Sequence, residues 1–279
     1  MLQKNRFIEK SLVEAVSFFK DTFFAEEYAA KNAFLQSLDP RIKTIGFALF
    51  IITVLCIKTI APILFLYALV LLLAFLSKID LVYFLKRTWI FIPLFSLFIA
   101  IPALFSVFSP GEAVFSFRIF HATLTVTRQG LVSAALFISR VITSVSIVVL
   151  LSLTTKHAHI LSALRVFGVP SIFIMTISMC YRYLYLFAKI VEETCLSLKS
   201  RIGTAVHSGQ GQRIISWNIA NLWHRSFCLH KDVYGAMLSR GYTGEARITV
   251  GFKANARDWI WLAASIAISA ILLATCIVR

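Results

Sequence analysis

Apolar residues in this chain fall in long blocks separated by short charged stretches, not at the spacing of a soluble core. The first segment, residues 7–35, is the exception. Ile8, Leu12, Val16, Phe19 and Phe23 make an apolar stripe, and Glu9, Lys10, Glu14, Lys20 and Asp21 leave the other side charged. That pattern predicts a helix lying in a membrane interface. Asp39-Pro40-Arg41 then interrupts the chain before the block 45–76, which carries one charge, Lys58, with Pro62 close behind. As a single helix this block would be about 48 Å long, against a hydrocarbon layer of about 30 Å. Two short spans turning near Lys58 and Pro62 are therefore expected. The blocks 89–108, 131–153 and 259–278 each suit one crossing, and the last opens with Trp259 and Trp261, residues at home in a membrane interface. None of the blocks alternates as barrel strands do, and a helix satisfies its own backbone groups in lipid.

Residues 171–188 are apolar too, but Tyr181, Arg182, Tyr183 and Tyr185 interrupt their end. Basic residues gather on the cytoplasmic side of membrane proteins. Putting Arg41 and Lys43, then Lys78, Lys86 and Arg87, then the stretch 156–257 all on that side requires five spans, with 171–188 not crossing. The expected fold is an all-α membrane protein with both its N-terminus and its long basic region in the cytoplasm. An interfacial helix occupies 1–38, transmembrane helices 1–4 occupy 39–154, a cytoplasmic region runs over 155–256, and a last transmembrane helix covers 257–279. The external loop 109–129 is expected to hold a small hairpin, since Thr123-Leu-Thr-Val-Thr127 has strand character.

Within the cytoplasmic region, Leu184, Phe187, Val191, Cys195, Leu198 and Ile202 recur in steps of three and four on one helix face. A run rich in glycine, His207-Ser-Gly-Gln-Gly-Gln212, is expected to break the chain. A second amphipathic pattern runs through Ile215, Ile219, Leu222, Ser226, Leu229, Val233 and Ala236 and stops at Gly241 and Gly244. Each helix carries a similar tripeptide at its tail, Ser200-Arg201-Ile202 and Ser239-Arg240-Gly241. A lone arginine there reads most simply as a solvated cap, favourable with the helix dipole. The repetition points instead to paired docking, because a planar guanidinium can grip a carboxylate or a helix C-terminus bidentately.

Composition changes the picture little: 59% of the 279 residues are hydrophobic, 15% are charged, and the mean hydropathy is +0.82. The net charge of +15 reads as cytoplasmic loops facing anionic lipid, since no nucleic-acid fold signature accompanies it. Five scattered cysteines give no disulfide framework. Lys4 and Arg6 precede a mixed polar segment, so no cleavable signal peptide is expected.

The stretch Ala236-Met-Leu-Ser-Arg-Gly-Tyr-Thr-Gly-Glu245 resembles the signature of the transmembrane T component of energy-coupling factor (ECF) transporters, in its CbiQ-type cobalt and nickel branch. Leu38-Asp-Pro-Arg-Ile-Lys43, Phe167-Gly-Val-Pro170 and Tyr181-Arg-Tyr183 resemble that family as well, and the likeness covers 38–279. Ile202 departs from it, because the family commonly has Gly or Ser after the first arginine. The resemblance implies a coupling subunit of an ABC importer in a bacterial or archaeal plasma membrane. Two long cytoplasmic coupling helices would rest on a pair of CbiO-like ABC ATPases. Ser200, Arg201 and Ile202 would dock one ATPase, and Ser239, Arg240 and Gly241 the other. A CbiM-like substrate-binding S component, with a small accessory membrane subunit, would complete the complex and carry cobalt or nickel. A vitamin importer of the same family is the nearer alternative.

No Gly-x-x-x-x-Gly-Lys-Ser/Thr loop is present, so the energy for transport must come from another subunit. No catalytic residue, cofactor or metal site is expected. His157 and His159 are two residues apart and point to different faces of a helix. Arg140, inside the block 131–153, fits either a contact with a partner or a bundle interior facing Thr143 and Ser144. A stand-alone integral-membrane enzyme is the rival class, but the acidic residues it would need are few and scattered.

Overall fold

The computed structural model describes residues 28–29, 33–89, 96, 99–100, 113–119, 122–202, 208–244 and 255–277. The expected interfacial helix (7–35) and the expected crossing at 89–108 fall largely outside them.

Asp39 starts the first helix, α1 (Pro40–Cys56), by accepting the Arg41 N–H at 3.0 Å, and Pro40 takes the first helical position. The chain turns extended at Ile57 and re-enters a helix, α2 (Ile60–Leu76), so the block 45–76 divides near Lys58 as expected. Lys78 ends α2 in the left-handed region (φ 53°), with the Ile79 N–H bonded to the Ala74 carbonyl. Asp80 then caps α3 (Leu81–Trp89) through the Val82 N–H at 3.1 Å.

Strands β1 (Ala113–Ile119) and β2 (Ala122–Thr127) pair antiparallel, which is the expected hairpin. It leads into α4 (Arg128–Thr154), a 27-residue helix, and then α5 (His157–Val166). Helices α6 (Ser171–Ile202), α7 (Ser208–Ser239) and α8 (Ala256–Ile277) complete the described chain.

Three helices are long and apolar enough to cross a membrane among the described residues: α4, the segment Ser171–Thr194 of α6, and the segment Ala256–Thr275 of α8; α2 is a shorter apolar helix. The chain is an all-α membrane protein, with one small hairpin among the described residues. Two expectations need correction. The helix expected to begin near Leu184 begins at Ser171 and runs unbroken, because no Gly or Pro lies between Ser171 and Ile202. The glycine run does not hold α7 off until Ile215. Gly209 and Gly211 sit in its first turn, where N–H groups lack intrahelical partners and weak propensity costs little.

The chain divides into two compact units. One comprises Glu26–Ile160 and Gly251–Arg279; the other includes Leu161–Val250. In the first, α1, α2 and α4 bury Phe47, Phe50, Ile63, Leu66, Ile147 and Leu150 between them. Leu64, Phe65, Leu72 and Phe75 of α2 face outward and exposed, so that helix is apolar all round, as a lipid-facing helix must be. Helix α8 packs against α1 where Gly46 leaves room for Trp261, whose ring lies 5.8 Å from Phe47 and 6.3 Å from Phe50.

Three bonds bring the helix ends of this unit together. Gln36 Nε2 donates to the Ser77 carbonyl at 3.2 Å, Lys43 Nζ to the Thr154 carbonyl at 2.9 Å, and the Asp39 N–H to Asp258 Oδ1 at 2.9 Å. The starts of α1 and α8 thus share one end of the bundle with the finishes of α2 and α4. At the other end of α1, Arg140 Nη2 donates to the Ile57 carbonyl. Fourteen residues separate Lys43 from Ile57, and fourteen separate Arg140 from Thr154. At about 1.5 Å per residue both spacings are about 21 Å, so α1 and α4 run antiparallel and are pinned at two matched levels.

Candidate functional site

The second unit is dominated by α6 and α7, each 32 residues or about 48 Å long. Residues 203–207 separate them in sequence, and at the far end Tyr242 Oη lies 3.2 Å from Met175 Sδ. Helices of equal length joined at one end and touching at the other form an antiparallel hairpin.

The second tripeptide is built into the cap of α7. Gly241 has φ 78°, its N–H bonds the Leu238 carbonyl at 3.0 Å, and the Tyr242 N–H bonds the Met237 carbonyl at 3.0 Å. These two bonds around a left-handed glycine are a Schellman cap. Arg240 is the residue at which the helix ends, and it is exposed. Ser239 turns its hydroxyl back to the Gly235 carbonyl at 3.0 Å. Tyr242 holds the cap from outside, reaching Met175 and the Gly244 carbonyl. The backbone that carries Arg240 is therefore held in one conformation. In the first tripeptide, Ser200 is exposed and bonds the Ser197 carbonyl at 2.8 Å, and Arg201 and Ile202 are the closing residues of α6.

Of the face expected to be apolar on α7, Leu222, Leu229 and Val233 are half-buried, while Ile219, Ser226 and Ala236 are exposed. A second stripe lies beside it, and of its residues the expected face included only Ile219. Ile219, Trp223, Phe227, Tyr234 and Leu238 are all exposed, Trp223 at 80% of its surface. Their spacing of four, four, seven and four places them within about 100° of the helix circumference. That spacing is visible in the sequence, but it competes with the inner face, and only burial separates the two.

Arg140, left open between two roles, bonds a backbone carbonyl inside its own bundle. His157 and His159 are each half-buried near the start of α5, and no group of three metal-ligating side chains forms among the described residues. At the shared helix ends, Asp258 is 2% exposed and accepts the N–H groups of Asp39 and Asn255 at 2.9 and 2.7 Å. Lys43 is 1% exposed, and its amine donates to the carbonyls of Leu35 at 2.8 Å and Thr154 at 2.9 Å. These contacts give physical reasons for Asp39, Pro40 and Lys43 within the segment 38–43.

The model of the CbiQ family, described as cobalt transport protein, matches residues 31–250. This chain belongs to the CbiQ family. It is 32% identical over 268 residues to the uncharacterized protein MJ1571 of Methanocaldococcus jannaschii, covering 96% of this chain and 91% of that one. It is also similar to MJ1089 of the same organism, at 22% over 223 residues, with 77% and 79% of the two chains covered. A shorter likeness, 27% over 114 residues and 41% of each chain, is to the nickel permease LarQ of Lactiplantibacillus plantarum. The CbiQ chain is a membrane component of cobalt transport.

Proposed function

We propose that this protein is the coupling subunit of an ECF-type ABC importer for cobalt or nickel. In this reading α6 and α7 pass the motion of two partner ATPases to a substrate-binding membrane subunit. The observation that carries the proposal is the cap of α7: an exposed Arg240 held at the end of a 32-residue helix by Gly241 and Tyr242. An arginine fixed there offers a planar fork to a carboxylate or helix C-terminus in an ATPase groove. Arg201, at the end of the antiparallel partner helix, is assigned the second ATPase. The family's cobalt description and the likeness to a nickel permease support the choice of cargo.

The hairpin belongs in the cytoplasm, with Ser171–Thr194 not crossing despite its length and hydropathy. The Met175–Tyr242 contact supports this. If α6 crossed, its antiparallel partner would cross beside it and carry Arg225, Lys231 and Asp232 into lipid. Each such charge near the bilayer centre costs about 2.5–3.5 kcal/mol. Keeping the hairpin out avoids that penalty and leaves the N-terminus inside and the C-terminus outside.

The test is Arg240→Glu in the chain co-expressed with its ATPases and membrane partner subunits. The expected result is loss of most ATPase from the purified complex and a fall in cobalt uptake of about 10-fold or more. Unchanged recovery together with unchanged uptake would refute the docking role.

A further inference from the structure

Lysine is almost never fully buried unless something holds its amine. Lys43 is buried to 1% exposure, and its amine is held by a pair of backbone carbonyls, not a carboxylate. One belongs to Leu35, in the segment before α1, and Leu35 is itself fully buried. The other belongs to Thr154, the last residue of α4. The final carbonyls of a helix have no intrahelical donor, so the end of α4 would be an orphan acceptor without this amine. A cation or a dipolar N–H is also favoured there by the helix dipole. Both the ammonium and the neutral amine carry at least two N–H groups, so either form serves both acceptors.

The chain just beyond Thr154 gives this contact its consequence. Thr155 is buried, and the Lys156 carbonyl accepts the N–H groups of His159 and Ile160 to open α5. Helix α5 ends in a second left-handed glycine cap at Gly168, and Val169-Pro170 leads straight into α6. Residues 155–170, which join the two units in sequence, thus hold one helix that ends in a glycine cap.

We infer that Lys43 is a positioning residue: its amine ties the end of α4 to the start of α1 and holds the last turn of α4 in place. Motion that reaches the end of α4 along the chain is then not absorbed by fraying of its last turn. The inference rests on the proposed coupling role for its consequence, and on Lys43 alone for its structure.

The experiment uses the complete importer in proteoliposomes, with ATP hydrolysis and Co2+ uptake measured together for wild type, Lys43→Met and Lys43→Arg. Lys43→Met should hydrolyse ATP near the wild-type rate yet move about tenfold fewer ions per ATP, because both carbonyls lose their donor. Lys43→Arg, which keeps N–H donors, should recover a large part of that ratio. An unchanged ratio in Lys43→Met overturns the inference. A wild-type complex without coupled hydrolysis overturns the importer reading instead, and two measurements on the isolated full chain then decide on Lys43 itself. Hydrogen exchange over residues 155–160 should accelerate about tenfold or more in Lys43→Met, with α7 unchanged; equal exchange refutes the tie. Should that variant not fold, amine labelling of the wild type decides. Lys43 should stay unlabelled under conditions that label the exposed Lys189 fully, and equal labelling of the two refutes it.

Discussion

Replacing Gly46 with alanine tests the packing of the bundle at its tightest point. A Cβ on Gly46 would sit 2.8 Å from Trp261 Nε1 and 3.3 Å from Ser265 Oγ. An ordinary contact is about 3.5–4.0 Å, so the indole must retreat by roughly 1 Å. It cannot do so freely, because Phe47, Phe50 and Phe34 surround it with ring centroids 5.8, 6.3 and 6.4 Å away. Helix α8 has to shift or the ring has to leave its rotamer, and overpacking of this kind costs about 1–3 kcal/mol. Alanine returns about 0.5–1 kcal/mol by its better helix propensity. The net expectation is a loss of about 1–2 kcal/mol, seen as a lower thermal unfolding midpoint in mild detergent. The double variant Gly46→Ala/Trp261→Phe supplies the control. Among the described residues the Trp261 N–H has no hydrogen-bond partner, so phenylalanine sacrifices only packing while removing the atom that clashes. The two changes should therefore couple favourably by about 1 kcal/mol or more in a double-mutant cycle. A Gly46→Ala protein as stable as wild type, or additive behaviour of the pair, would refute the close approach of α1 and α8.

Two further predictions concern the caps. Asp258→Ala leaves the buried Asp39 N–H without its acceptor, while the exposed Asn255 can turn to water; a loss of about 1–3 kcal/mol in unfolding stability is expected, with Asp258→Asn closer to wild type. Gly241→Val forces a β-branched residue into the left-handed region at a cost of about 1–2 kcal/mol. Its readout is faster amide exchange at Tyr242 and weaker ATPase recovery, and full protection in the variant would count against the Schellman cap.

Much of the fold could be read along the chain because lipid imposes a one-dimensional rule. Each span must be apolar over its own length and satisfy its own backbone, so blocks of hydropathy mark α1, α2, α4 and α8 with no knowledge of neighbours. Glycine marked the end of α7 for an equally local reason, since φ 78° at position 241 suits a residue without Cβ. The two tripeptides were visible as a repeat of residue types at two helix ends.

The features hidden from the sequence depend on surfaces facing one another. Nothing local says that Lys43 turns inward to the end of α4 or that Arg140 serves the Ile57 carbonyl. Either cation could as well have faced lipid headgroups or a partner subunit. Residues 171–188 read as an isolated apolar stretch, and only the meeting of Met175 with Tyr242 shows that they run beside the charged helix α7. The stripe from Ile219 to Leu238 likewise has the same spacing as a buried face, and exposure separates the two. Hydropathy and propensity act residue by residue, so the sequence by itself determines where helices lie and where they stop. Burial and pairing of polar groups depend on what packs against them, and only the tertiary structure decides which side chains hold the helices together.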